Sequence, residues 1–116
     1  VNEHNEVALL RQNYVSKTKY VCVAGIIKIG ESAEETVTRE IKEEIGQDVE
    51  KLKFIKSYFY EKHEMLMLGY KATVKKQDFK LSCEVDSAKW VKYENALSLL
   101  REGSIAWQLV RTVIEN

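Results

Sequence analysis

Three glutamates, Glu40, Glu43 and Glu44, lie close together on one predicted helix. At about 3.6 residues per turn they fan over one side of the helix, at the edge of its apolar stripe. Like charges at this spacing destabilise a helix, and a divalent cation is a natural counter-charge for clustered carboxylates. Arg39 can pair with Glu43 or with Glu35, one turn away on either side. A solvated face with ion pairs also explains such a charge run, so the acids alone leave both interpretations open.

The helix that positions these acids has strong local signals. Ser32 has the chemistry of an N-cap, and Glu35 completes a capping box. Gly46 predicts the C-cap. The apolar stripe consists of Val37, Ile41 and Ile45.

The remaining pattern predicts strands over residues 7–11, 20–27, 51–60 and 64–74, with a short strand around 88–91. Residues 20–27 are nearly all apolar, which indicates a buried strand, and Gly25 within it indicates either a bulge or the close approach of another group. In the strand over 51–60, alternation points Leu52 and Phe54 inward. Residues 12–19 are predicted as a loop and 61–64 as a hairpin tip. Two helices follow, over 94–102 and 104–115. This order predicts an α+β fold in which a mixed sheet packs between helices.

Composition limits the class of protein. The 116 residues are enough for one domain, over 1–116, and the 18 basic and 18 acidic side chains give no basic field for nucleic acid. Cys22 and Cys83 form no metal-binding or disulfide pattern, and no apolar run or signal peptide indicates a membrane, so we expect a cytoplasmic protein. A first strand, a hairpin partner for 7–11, is expected before Val1. Without it, the open edge needs another cover, such as a second copy of the chain in a homodimer.

The spacing of the acids matches a known pattern. The stretch resembles the Nudix box, Gly-x5-Glu-x7-Arg-Glu-U-x-Glu-Glu-x-Gly-U, where U is aliphatic. Only Gln47 departs from it, and we expect that departure to affect packing more than chemistry. The positions that match are Gly25, Glu31, Arg39, Glu40, Ile41, Glu43, Glu44 and Gly46.

The resemblance implies a Nudix-type α/β/α sandwich that hydrolyses a nucleoside diphosphate linked to another group, with Mg²⁺ or Mn²⁺ as cofactor. It implies metal ligation by Glu40 and Glu44, with Glu43 as ligand or base. Glu43 and Glu44 would carry the catalysis, and Arg39 would orient the glutamates. The expected partner is a small nucleotide.

Within the family, the chain is most similar to the catalytic domain of bacterial NADH pyrophosphatases. That similarity implies a metal-binding carbonyl at Ala24, a further metal-binding carboxylate at Glu84 and a substrate contact at Ala106. The NADH motif Ser-Gln-Pro-Trp-Pro-Phe-Pro-x-Ser should occupy residues 57–65, where this chain reads SYFYEKHEM. Ser57 is kept and Tyr60 replaces the tryptophan, but all three prolines are missing, so specificity for NADH stays open.

Several other residues have competing interpretations. Tyr58, Phe59 and Tyr60 could stack a nucleobase, or alternate members could fill the core. His63 lies at the hairpin tip, and the simpler interpretation is a solvated side chain. For Trp90 the simpler interpretation is a core side chain. A Nudix-like module that senses a nucleotide without turnover is the alternative to an enzyme, although such a module would be expected to lose box glutamates.

Overall fold

The computed structural model describes residues 1–12 and 19–115. Most of the loop predicted over 12–19 therefore lies outside the described residues. Apart from the strand predicted over 20–27, the helices and strands follow the predicted order, with short 3₁₀ turns at Glu61–His63 and Leu97–Leu99. They are β1 (Glu6–Arg11), α1 (Ala33–Ile45), β2 (Val49–Tyr60), β3 (Met65–Val74), β4 (Ser87–Lys92), α2 (Tyr93–Ala96) and α3 (Ile105–Glu115).

The strands form two antiparallel ladders, β1 with β4 and β2 with β3. The two ladders approach each other through the first residue. The amine of Val1 donates to the carbonyl of Ala72 at 2.8 Å, and the amide of Val74 donates to the carbonyl of Val1 at 2.9 Å. This staggered pair of bonds is the pattern of parallel strands. Among the described residues, Val1 therefore pairs with β3 in the parallel sense, whereas both ladders are antiparallel.

Strand β1 is covered on both of its faces. Leu9 lies in one core cluster with side chains from β4, α2 and α3, whereas Leu10 lies in a second cluster with Ile41 and Ile45 of α1. Successive side chains of a strand point to opposite faces, so one strand serves both clusters. The result is the predicted layering of helices on the two sides of β-structure.

The buried strand predicted over 20–27 is wrong beyond its first residues. Val21 exchanges two hydrogen bonds of 2.8 Å with Leu10, but no strand continues from this bridge. Residues 24–30 are exposed, and Ile26 is 77% exposed. The backbone leaves β1 because it is held against α1: the carbonyl of Ile26 accepts from Arg39 and Gly25 lies on Glu40. An apolar run indicates burial but does not indicate which neighbour pairs with it.

Helix α1 has the predicted ends and the predicted stripe. The hydroxyl of Ser32 accepts from the amide of Glu35 at 3.1 Å, and the carboxylate of Glu35 accepts from the amide of Ser32 at 3.0 Å. Gly46 ends the helix with φ of 69°, a conformation that favours glycine. Ile41 and Ile45 are buried, and the opposite face carries charged side chains.

Two smaller expectations also change. Phe54 is 51% exposed rather than inward, because the β2–β3 register shifts between Phe54 and Lys56. The helix expected over 94–102 is a single α-turn followed by a 3₁₀ turn. Helix α3 lies where expected and buries Val110 and Val113. Within the part of the chain that the structure describes, no helix has the length and apolar character needed to cross a bilayer.

Candidate active site

Arg39 lies at the centre of the acidic cluster. Its Nε donates to Glu31 Oε2 at 2.6 Å and its Nη2 to Glu31 Oε1 at 3.0 Å, which makes a bidentate pair. Its Nη1 donates to both Glu40 and Glu43, to the latter at 3.2 Å. The guanidinium fork suits such planar recognition, and it orders three carboxylates around one cation. The predicted pairing with Glu43 is confirmed; the alternative partner Glu35 instead completes the capping box.

Glu31 is the principal partner of Arg39. Because Glu31 lies before the first residue of α1, helical spacing could not indicate this pairing. Its Oε1 accepts from the amide of Lys28 at 3.1 Å and from the hydroxyl of Thr36 at 2.8 Å. Arg39, together with these donors, lowers the pKa of Glu31 to about 2. The reciprocal interaction raises the pKa of Arg39. The fixed glutamate of the Gly-x5-Glu spacing could have indicated this role.

Gly25 lets Glu40 lie directly against the backbone of the loop. A Cβ atom at residue 25 would be 2.3 Å from Cγ and Cδ of Glu40 and 2.7 Å from its Oε2. Such distances are far inside van der Waals contact, so only glycine fits while Glu40 keeps this position. Of the two interpretations of Gly25, a bulge or a close approach, the structure supports the close approach, and the approaching group is the side chain of Glu40.

Glu44 is buried and is the acid that Arg39 does not reach. Its side chain is 6% exposed, and its Oε2 has no hydrogen-bond partner among the described residues. Burial raises its pKa to about 7, and the negative charges of Glu40, Glu84 and Glu43 add to this effect. A buried carboxylate beside three others is poised to receive a cation or a proton.

Glu84 comes close to this helix through the loop that precedes β4. The amide of Ser82 donates to the carbonyl of Glu44 at 3.1 Å, and the amide of Glu84 donates to the hydroxyl of Ser82 at 3.4 Å. The side chain of Glu84 is exposed, and its charge contributes to the raised pKa of Glu44.

The donor set has the chemistry that a divalent cation requires. Hard cations take carboxylate and carbonyl oxygens, and Glu44 Oε2 is a buried oxygen of this kind that has no hydrogen-bond partner in the described part of the chain. Residues 1–12 and 19–115 contain no convergent group of three His, Cys, Asp or Glu side chains. Glu40 and Glu43 are turned towards Arg39 instead. The residue types fit a divalent metal ion.

An apolar cavity of about 680 Å³ lies beside the cluster, between the two ladders. Its lining includes Ala24, Gly25 and Glu40, together with Tyr58 and Ala106. The cavity thus joins two box residues, and Ala24 just before the box, to two residues predicted to bind substrate. A volume of this size falls within the range of about 300–1,000 Å³ for small-molecule sites.

The predicted substrate residues of the hairpin differ in position. Tyr58 is 8% exposed and hydrogen-bonds the side chain of Thr112, so it lies in the core, as the core interpretation predicts. Ser57 is exposed, and Tyr60 is half-buried with its ring against His63. Trp90 stacks on Phe79 with ring centroids 5.0 Å apart and has no direct place in the cluster.

The missing prolines have a structural consequence. Proline cannot donate to a ladder, so a proline-rich segment would interrupt pairing. Here β2 pairs with β3 without a break from Ser57 opposite Leu68 to Tyr60 opposite Met65. The segment that would carry the NADH motif is therefore a regular hairpin that ends in a 3₁₀ turn.

Comparison with known proteins defines the class. The NUDIX domain model matches residues 1–113, so the chain belongs to the Nudix family. The predicted family is therefore confirmed, and Glu40, Glu43 and Glu44 of the box lie on α1.

Two sets of curated relatives are similar to this chain. It is 34% identical over 113 residues to the mitochondrial NAD(P)H pyrophosphatase NUDT13 of Mus musculus, covering 93% of this chain and 32% of the relative. It is 32% identical over 111 residues to the NAD-capped RNA hydrolase NudC of Pseudomonas aeruginosa strain LESB58, covering 95% and 40%. The chain thus spans well under half the length of the curated relatives it matches.

Solved structures confirm the predicted fold. A Caenorhabditis elegans Ap4A hydrolase binary complex superimposes with a TM-score of 0.75 and 25% identity, covering 93% of this chain and 83% of that one. The NUDIX domain of Shewanella oneidensis NrtR, crystallised with ADP ribose, gives a TM-score of 0.79 at 19% identity and covers 98% and 80%. The second likeness concerns the fold alone.

Proposed function

We propose that this domain hydrolyses the pyrophosphate bond of a nucleoside diphosphate linked to a second group X, giving a nucleoside monophosphate and X-phosphate. The observation that carries the proposal is the arrangement around Arg39. The Arg39 guanidinium holds Glu31, Glu40 and Glu43. Beside them, one oxygen of the buried Glu44 has no partner within residues 1–12 and 19–115. The names of the curated relatives, a pyrophosphatase and a hydrolase, support the same reaction class.

Nudix hydrolases generally use divalent metals, and we assign the ligands here to Glu40, Glu44 and Glu84, with Glu43 and the carbonyl of Ala24 in addition. The expected ion is Mg²⁺ or Mn²⁺, because the donors are all oxygen. When bound, the ion supplies neutralisation of the pyrophosphate charge and polarisation of the phosphorus. The chain's own contribution is to fix these oxygens on one helix and one loop.

Proton transfer belongs to the acids of α1. The attacking water must lose a proton, and a carboxylate within hydrogen-bond reach can accept it. Glu43 is exposed and bound to Arg39, whereas Glu44 is buried with a pKa near 7. We assign catalysis to this pair and a positioning role to Arg39, which orients Glu40 and Glu43.

NAD(P)H is the first substrate to test. Relatives named NAD(P)H pyrophosphatase and NAD-capped RNA hydrolase support it, and the hairpin without prolines argues for a different contact with the nicotinamide half. We assign the substrate to the cavity beside the cluster, which Ala106 lines. Ser57 and Tyr60 are the hairpin residues that we assign to substrate binding. Tyr58 can contribute only from within the core.

A panel of NADH, NAD⁺, nucleotide sugars, dinucleotides and nucleoside triphosphates, with Mg²⁺ or Mn²⁺, tests the function by release of monophosphate. Turnover of one class with loss of at least about 100-fold in kcat for Glu43→Gln or Glu44→Gln is expected. The matched control is Glu50→Gln, on the exposed face of β2. Binding of a nucleotide without turnover of any substrate would instead establish a sensing module.

Location and assembly are further proposals. Cys22 and Cys83 are both free thiols, which favours the reducing cytoplasm, whereas the mouse relative named as mitochondrial gives the competing compartment. Cell fractionation distinguishes the two. Light scattering of the purified chain tests the proposed homodimer.

A further inference from the structure

Gln47 occupies the position where the Nudix pattern has an aliphatic residue, and the structure buries it. Its side chain is 1% exposed. Its Nε2 lies 3.4 Å from the carbonyl oxygen of Ile45, 3.4 Å from that of Gln77 and 3.2 Å from that of Asp78. Its Oε1 has no hydrogen-bond partner among the described residues. A buried amide with one unpaired atom is less favourable for stability than an aliphatic side chain. The presence of glutamine at this position therefore needs a functional explanation.

The contacts join α1 to the segment over residues 77–85, which we term the Glu84 loop. The loop lies across the C-terminal end of the helix, where helix carbonyls have no internal partner. Its Lys80 amide donates to the carbonyl of Ile45 at 3.1 Å, and its Ser82 amide to the carbonyl of Glu44 at 3.1 Å. The packing is close, because a Cβ atom on Gly46 would lie 2.6 Å from Cβ of Lys80.

The same loop carries Glu84, two residues after the Ser82 amide that donates to the carbonyl of Glu44. A turn closes from the amide of Val85 to the carbonyl of Ser82 at 3.2 Å, and Val85 is buried in the second core cluster. The amide of Glu84 donates to the hydroxyl of Ser82 at 3.4 Å. Both ends of the loop are thus fixed, at Gln77 and Asp78 by Gln47 and at Val85 by the core.

We propose that Gln47 is a positioning residue, whose amide holds the Glu84 loop on the end of α1 so that Glu84 joins Glu44 in the metal-binding set. The proposal deepens the proposed function, since it concerns the ion-binding acids of that same site. Residues that fix a ligand without touching the ion commonly change metal affinity by about 10–100-fold when they are replaced.

The test is a Mn²⁺ titration of the purified chain, by calorimetry, without substrate. Gln47→Met keeps the length of the side chain and removes the amide, and we expect its Mn²⁺ Kd to rise about 10-fold. The matched control is Gln108→Met, an exposed glutamine whose Nε2 donates to the carbonyl of Gly103; its Kd should stay unchanged. Faster hydrogen exchange at the amides of Lys80 and Ser82 in the metal-free Gln47→Met protein is expected alongside.

A double-mutant cycle separates positioning from a general structural effect. Glu84→Gln should weaken Mn²⁺ binding, and adding Gln47→Met to it should change Kd by less than about two-fold, because the residue being positioned is already lost. An unchanged Kd in Gln47→Met or in Glu84→Gln overturns the proposal. So does an equal loss from Gln47→Met in both backgrounds.

A second variant reaches the same loop if Gln47→Met does not fold. Trp90 Nε1 donates to the carbonyl of Gln77 at 3.3 Å, and Trp90→Phe removes this donor while keeping a ring against Phe79. Its Mn²⁺ Kd should rise, again only when Glu84 is present; a rise without Glu84 contradicts the proposal. These titrations do not depend on turnover. If the protein hydrolyses no substrate, the proposed function is refuted, and the titrations still test the role of Gln47.

Discussion

Replacing Glu44 by glutamine is expected to stabilise the metal-free domain above pH 7 while removing most of its activity. The pKa of Glu44 rises from its ordinary value of 4.5 to about 7, first through burial and then through Glu40, Glu84 and Glu43. A shift of this size corresponds to about 3 kcal/mol of unfavourable free energy for the ionised form. Because the glutamine also leaves a buried polar atom unpaired, we expect a net gain of about 2 kcal/mol.

The sign of the effect follows from proton binding. Between pH 4.5 and about 7 the folded protein holds a proton on Glu44 that the unfolded chain has lost. The free energy of unfolding therefore falls as the pH rises through this window, and the full penalty is present above it. Glu44→Gln should be more stable than the wild type at pH 8 and slightly less stable at pH 4.5, where the penalty of the ionised carboxylate is gone and the cost of the unpaired amide atom remains.

Urea unfolding in EDTA at pH 4.5, 6, 7 and 8 measures this difference, with Glu50→Gln as the exposed control. In thermal unfolding at pH 8, about 2 kcal/mol corresponds to a rise of about 8 °C for a domain of this size. A gain of equal size at every pH, or no gain at pH 8, would refute the assignment of the penalty to the ionised carboxylate.

Three further changes test other parts of the site. Arg39→Lys loses the bidentate fork to Glu31, so kcat should fall by about 10–100-fold with little change in KM; steady-state kinetics within a few-fold of wild type would contradict the positioning role. Gly25→Ala places a Cβ atom 2.3 Å from Glu40 Cγ, so activity should fall at least about 10-fold while Tm stays nearly constant, whereas retained activity would show that Glu40 need not lie there. Ser32→Ala removes the N-cap and should lower stability by about 1 kcal/mol in urea unfolding; activity at saturating metal should change little, and a large loss would tie the cap to the chemistry.

The acidic helix was predictable because its signals are local. A capping box, a stripe at helical spacing and a C-cap glycine all lie within fifteen residues of one another, and each acts on its neighbours in the chain. The fixed spacing of the box then placed Glu40, Glu43 and Glu44 on that helix. Their partner Arg39 was predictable from the same spacing, because Arg39 and Glu43 are one helical turn apart.

The contacts that finish the site were not predictable in this way, because they join distant parts of the chain. Gln47 was visible as a departure from the pattern, but its partners Gln77 and Asp78 lie about thirty residues away. The segment over 20–27 was predicted as a strand from its apolar residues, whereas its backbone is held by Arg39 and its glycine by Glu40. Periodicity reports which side chains are apolar, and it does not report which backbone pairs with which.

The site and the stability of the fold are linked through charge. Arg39 pairs with three acids and leaves Glu44 without a counter-charge, so the native state above pH 7 carries a penalty that a bound cation would remove. A ligand at about 100 times its Kd stabilises the native state by about 2.7 kcal/mol, close to the about 3 kcal/mol worked out for Glu44. Saturating Mg²⁺ should therefore flatten the pH dependence of unfolding between pH 4.5 and 8. If the slope stays as steep with Mg²⁺ as with EDTA, the ion does not bind at Glu44, whatever substrate the domain hydrolyses.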